Sequence, residues 1–165
     1  MQNPCENIKF YAHDKIEELR NSNKEKAFAI CGNGNVTDIV EGNISNIHTG
    51  TYFEEFCKAN DSYVEIDVHN HPSGIELPTI ADMVNVAQEG GSNTWVCVVT
   101  KQSLTCVRPK GETKHIADEL KGKSKYDEDF AKIYDEYAKE LQPYDRWRSY
   151  DVVERNVEIV KCPFE

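Results

Sequence analysis

Two histidines separated by one residue, His69 and His71, stand between an apolar alternating stretch and Pro72. Residues two apart on an extended chain point to the same side, so both imidazoles can converge on one ion. A catalytic zinc takes three protein ligands of N or O type and keeps a fourth position for water. Asp82, 11 positions after His71, can supply the third ligand once the intervening loop folds back toward the strand end. Zinc held this way lowers the pKa of its water to about 7 and makes hydroxide available at neutral pH. Thr79-x-x-Asp82 is equally the pattern of a helix capping box, with Asp in place of the commoner Glu, and taken alone that reading has the edge. Three ligand-type residues and a proline turn at one strand-to-helix junction tip the balance toward a metal.

The elements that must position these groups can be read from periodicity. Tyr63 to Val68 alternates as a strand whose polar members are acidic, and Pro72 ends regular pairing beyond it. Pro78 and Thr79 then open a helix with Ile80, Met83, Val84 and Ala87 on one face, stopped by Gly90-Gly91. Ile8, Tyr11, Ala12, Ile16 and Leu19 place an amphipathic helix over residues 7–20. Ala27–Cys31 and Val36–Val40, joined by Gly32-Asn33-Gly34-Asn35, read as a hairpin, and residues 52–57 as a short helix after the loop of residues 42–50. Residues 95–100 and 103–107 form a second hairpin, which sets Cys97 opposite Cys106. Phe130, Ile133, Tyr134, Tyr137 and Leu141 predict a further helix halted by Pro143. The tail after it, with Trp147, Tyr150, Val152, Val153, Val157, Ile159 and Val160, is too apolar to stay undocked.

The run His69-Asn70-His71-Pro72-Ser73-Gly74 with Pro78-Thr79-Ile80-Ala81-Asp82 resembles the signature of the JAB/MPN (JAMM) zinc metalloproteases: a distant Glu, His-x-His-Pro, a variable loop, then Ser-x-x-Asp. Its wording is most similar to the RadC-type branch. The family's Glu precedes the first strand of a hairpin; Glu25 precedes Ala27–Ile30, 44 residues ahead of His69. The similarity covers residues from about 8 to 111. It implies that His69, His71 and Asp82 bind one zinc, and that Glu25 takes a proton from the zinc water and hands it to the leaving amine. It also implies an oxyanion-stabilising hydroxyl at Thr79, where the family has Ser; the extra methyl restricts the rotamer and crowds the site. The implied fold is a cytidine-deaminase-like mixed sheet flanked by helices. The implied activity is cleavage of a peptide or isopeptide bond at the tail of a ubiquitin-like or sulfur-carrier protein, a deubiquitinase-like hydrolysis. Taken by themselves, the residues around Glu25 read as a solvated charge between Lys24 and Lys26.

With 165 residues, 39% of them hydrophobic, the chain suits one domain with a proper core. The expected division is a JAB/MPN domain over residues 1–120 and a helical extension over 121–165, packed on the core or on a partner. Net charge is -10, and residues 1–108 carry 8 Lys/Arg against 15 Asp/Glu, which disfavours nucleic acid as the main partner. A RadC-like, DNA-associated role is therefore the third reading, behind a metal-free MPN-type scaffold that binds protein without turnover. No signal-peptide run or membrane-length apolar stretch is present, so the chain is expected to be cytoplasmic. Six dispersed cysteines without a CxxC pair read as buried thiols. His13, His48 and His115 lack ligand partners at usable spacing, and Trp95 and Trp147 read as packing residues.

Overall fold

A computed structural model of the chain describes residues 3–42, 49–146 and 156–164. His48, Trp147, Tyr150, Val152, Val153 and most of the expected loop at 42–50 lie outside these residues. Five helices and six strands follow in the order α1 (Pro4–Arg20), β1 (Lys26–Cys31), β2 (Val40–Glu41), α2 (Thr49–Ala59), β3 (Val64–Asn70), α3 (Ile80–Gly90), β4 (Trp95–Val99), β5 (Leu104–Pro109), α4 (Glu112–Leu120), α5 (Phe130–Arg146) and β6 (Val157–Cys162). The strands form one mixed sheet in the order β2-β1-β3-β4-β5-β6. Among the described residues only β3 and β4 are parallel, and the other neighbouring pairs are antiparallel.

Helices cover both faces, which makes an α/β architecture. Ile8, Ala12, Ile16 and Leu19 of α1 pack on Phe28, Ile30, Ile66, Val68 and Trp95. On the other face Met83, Val84 and Ala87 of α3 join Ala117 and Leu120 of α4 and Ile133, Tyr137 and Leu141 of α5 over Val96, Val107 and Val157. Phe53 and Cys57 of α2 cover Ala27, Ala29 and Cys31. The inner strand β3 is buried along its whole length, as a strand with helices on both sides must be.

Several local expectations are revised. The segment after Asn35 is not a full second hairpin strand: Val36 makes one bridge to Ile30, and the Thr37 hydroxyl accepts the Ala29 N–H at 2.9 Å in place of a backbone carbonyl. Pairing with β1 resumes only at Val40–Glu41. Pro143 does not stop α5, which runs on to Arg146; a proline removes one helical hydrogen bond, and three apolar anchors upstream already hold the helix. Helix α4 is absent from the sequence reading, although Thr113, Ala117 and Leu120 supply its buried face. The tail contributes more than helix, since β6 pairs with β5 from Leu104↔Cys162 to Pro109↔Val157.

The cysteines depart from the expectation of buried thiols. All six are paired, as Cys5–Cys162, Cys31–Cys57 and Cys97–Cys106. The fold brings distant chain segments into register, which spacing in the sequence does not reveal; only Cys97 and Cys106, opposite each other in the β4–β5 hairpin, were placed together by the turn. Among the described residues no helix is long and apolar enough to cross a membrane.

Candidate metal centre

Antiparallel register pairs Ala27 with His69 and Ala29 with Asp67. Directly paired residues share a face of the sheet, so two small side chains clear the space beside His69 and Asp67. Strand β3 carries His69 to the sheet's C-terminal end on the α3 side. The His71 N–H extends the parallel ladder by one bond to the Val99 carbonyl at 3.0 Å, which keeps the extended geometry and brings both rings to one side. Beyond it the chain turns tightly: Gly74 N–H donates to the His71 carbonyl at 3.0 Å, and Gly74 holds φ +90°, a conformation glycine adopts without strain.

That turn also orients the His71 ring. His71 Nδ1 lies 2.9 Å from the Ile75 carbonyl, an acceptor, so the ring carries its proton on Nδ1 and offers the Nε2 lone pair inward. His69 Nε2 is 3.1 Å from His71 Nε2 and 3.1 Å from Asp82 Oδ2, and His71 Nε2 is 3.4 Å from the same oxygen. With metal–ligand bonds of 2.0–2.2 Å, the edges of a tetrahedron around zinc are about 3.3 Å. The three atoms therefore stand at the separations of three corners of such a site. Facing one another without a cation, two imidazole nitrogens and a carboxylate oxygen leave lone pair against lone pair unless a proton intervenes. The donor set of two nitrogens and one oxygen is the type that suits a catalytic zinc.

Asp82 is held in place by the helix it begins. Thr79 is the N-cap of α3: its Oγ1 accepts the Asp82 N–H at 3.1 Å, and Asp82 Oδ2 accepts the Thr79 N–H at 3.0 Å. The carboxylate that completes the capping box is thus the one that faces the two imidazoles, so the two readings of Thr79-x-x-Asp82 are compatible. Burial works against the Asp82 charge, but the two imidazoles outweigh it and hold the carboxyl far below its ordinary range. For His69, burial opposes the charged form and the adjacent Asp82 carboxylate overcomes it, so its pKa lies above the ordinary histidine value. His69 Nδ1 is buried without a hydrogen-bond partner.

Glu25 is half-buried immediately before β1 and acts electrostatically on His69. It stands two residues before Ala27, the cross-strand partner of His69 and the last residue of the β1–β3 ladder. The Thr79 hydroxyl, on an exposed residue, keeps its own hydrogen free of the cap and able to donate. All five site residues named from the sequence are therefore brought to one end of the sheet. The other histidines are not: His13 is exposed on α1, and His115 is exposed on α4 with Glu119 at 3.5 Å. Trp95 is fully buried under the Arg108 guanidinium, 4.3 Å from its ring.

No model of a known protein family and no curated protein matches this chain. Sequence reasoning passed over three buried polar residues around it. Asp67 and Glu89 pack their carboxyls together behind His69, where burial raises the Asp67 pKa to about 6 and lifts Glu89 well above the usual range. Asn70 lies between the two histidines and turns to the opposite face. The acidic alternation of Tyr63–Val68 was the available signal for the first of these; a lone Asn offers none.

Proposed function

We propose that this chain is a zinc-dependent hydrolase that cleaves a peptide or isopeptide bond at the tail of a ubiquitin-like or sulfur-carrier protein, in the manner of the JAB/MPN metalloproteases it resembles. The observation that carries the reading is the convergence of His69 Nε2, His71 Nε2 and Asp82 Oδ2 within 3.4 Å of one another, with Glu25 near enough to act electrostatically on His69. Zinc bound there would supply a Lewis acid and an activated water at neutral pH. His71 is fixed in the binding tautomer by Ile75, and Asp82 is fixed by its own helix cap. Glu25 accepts a proton on the attacking side and returns it to the departing amine. The Thr79 hydroxyl donates to the developing oxyanion, a role that the exposed N-cap leaves open to it. The α/β mixed sheet is compatible with the cytidine-deaminase-like arrangement of that family, although its sixth strand and part of its core come from beyond residue 120.

A cleft of about 230 Å³ is lined by His71, Ser73 and Thr100 together with Leu19, Arg20 and Asn70, and so opens on the α1 side of the two-histidine segment. A cytoplasmic place of action, expected from the sequence, is set against three disulfides, which persist chiefly in oxidising compartments.

The test combines metal content with turnover. Protein purified without chelators should carry one zinc per chain by elemental analysis. Glu25→Gln should keep that zinc and lose about 10²–10⁴-fold in kcat on a ubiquitin-like protein bearing a C-terminal fluorogenic amide. Zinc-free protein that neither binds added zinc nor hydrolyses the amide would remove the assignment.

A further inference from the structure

Between the two histidines stands a residue that the alternation of an extended chain must send to the other face of the sheet. Asn70 is 2% exposed, and its carboxamide is fully engaged. Oδ1 accepts the Lys26 N–H at 2.7 Å; Nδ2 donates to the Lys24 carbonyl at 2.9 Å and to the Leu19 carbonyl at 3.0 Å. Both donor hydrogens have distinct acceptors. Two of the three bonds bracket a single residue, Glu25, by the peptide groups on either side of it. The third ties that segment to the last turn of α1.

Glu25 lies just outside β1, where no ladder to β3 fixes it. Its carbonyl is held from the β2 side by Gly42 N–H at 2.8 Å. The Asn70 carboxamide supplies what the ladder does not, on the β3 side. Because Asn70 is covalently between His69 and His71, the same backbone that aims the ligands also sets the base.

We propose that Asn70 is a positioning residue that holds Glu25 at the metal centre by clamping the Lys24 carbonyl and the Lys26 amide. The proposal rests on the hydrolase reading for Glu25's role, but not on turnover for its test. Only a carboxamide offers one acceptor and two donors from a single short side chain; Asp keeps the acceptor and loses both donors, and Ala loses all three.

The decisive measurement is the pseudocontact shift of the Glu25 carboxyl carbon in the full chain loaded with cobalt(II) in place of zinc. Asn70→Ala should collapse or scatter that shift while the His69 and His71 ring signals stay where they are, and Asn70→Asp should give an intermediate displacement. In the unmutated protein the Asn70 carboxamide hydrogens and the Lys26 amide should exchange slowly, and the Lys26 amide should exchange about tenfold faster or more in Asn70→Ala. With the fluorogenic substrate, Asn70→Ala should lower kcat about 10–100-fold at nearly unchanged KM, and should add no further loss in a Glu25→Gln background. A Glu25 shift unmoved by Asn70→Ala overturns the proposal. So does rapid exchange of the Asn70 carboxamide in the unmutated chain, which needs no variant to fold. Failure to take up cobalt or zinc would instead sink the hydrolase reading.

Discussion

The Asp82 carboxylate both caps α3 and faces two imidazoles, and substitution can separate the two roles. Asp82→Asn keeps an oxygen able to accept the Thr79 N–H but removes the charge. It should retain most of the stability and lose zinc affinity by more than about a hundredfold, the upper end for an outer-sphere partner. Thr79→Ala should do the reverse, costing about 1 kcal/mol through the lost cap while zinc content stays at one per chain. Chemical denaturation and a chelator competition on each variant distinguish the outcomes. The protonation of His69 sets a second expectation. Its pKa is raised by the Asp82 carboxylate, so a zinc ion binding there would displace a proton more often than at an ordinary histidine. Affinity should therefore fall as pH is lowered, with the decline beginning above the ordinary histidine range, and binding should release protons into a weakly buffered solution.

Strand β3 and helix α3 enclose an electrostatic liability. Asp67 and Glu89 are both more than nine-tenths buried and face each other. Burial raises both carboxyl pKa values, so between the ordinary carboxylate range and the raised values the folded chain binds more protons than the unfolded one. Stability from this pair is accordingly greatest in acid and declines as pH rises through about 6, where Asp67 titrates, and beyond. Glu89→Gln removes one titration and gives Asp67 a permanent N–H donor. The variant should be more stable than the parent at pH 7, on the order of 1 kcal/mol, with the difference shrinking toward the ordinary carboxylate range. Urea midpoints across pH read this directly; a difference that grows in acid would contradict it. Asp82 titrates with the opposite sign, but it is common to both proteins and cancels in the comparison.

At the scale of the whole molecule, the chain's two ends are fastened together. β6 is the last strand of the sheet, and the Cys5–Cys162 bridge joins it to the first turn of α1 across a separation of 157 residues. In the chain-entropy account, closing a loop of that length stabilises by about 5 kcal/mol, against roughly 3.5 kcal/mol for the 26-residue separation of Cys31–Cys57. Replacing Cys5 and Cys162 by Ser should therefore lower the denaturation midpoint more than replacing Cys31 and Cys57. Unreduced native protein should take up no alkylating label at any of its six cysteines. A labelled Cys5 in freshly purified protein would show that this clasp is open and that β6 is held by its ladder alone.

The cluster of His69, His71 and Asp82 was legible in the sequence because its geometry is mostly local. His69 and His71 converge through the two-residue period of a strand, and Asp82 is placed by a cap pattern that spans four residues. The α3 helix and the β4–β5 hairpin follow from the same short-range rules, and so does the meeting of Cys97 with Cys106. Glu25 needed a resemblance, since no local pattern links it to residues 44 positions away. Strand order, the seating of β6 at the sheet edge and the pairing of the other four cysteines were decided only in three dimensions. So was the clamp of Asn70 on the flanks of Glu25, and the meeting of Asp67 with Glu89. Each depends on contacts between segments distant in the chain, whose partners are chosen by burial and register across the sheet rather than by anything in their neighbours.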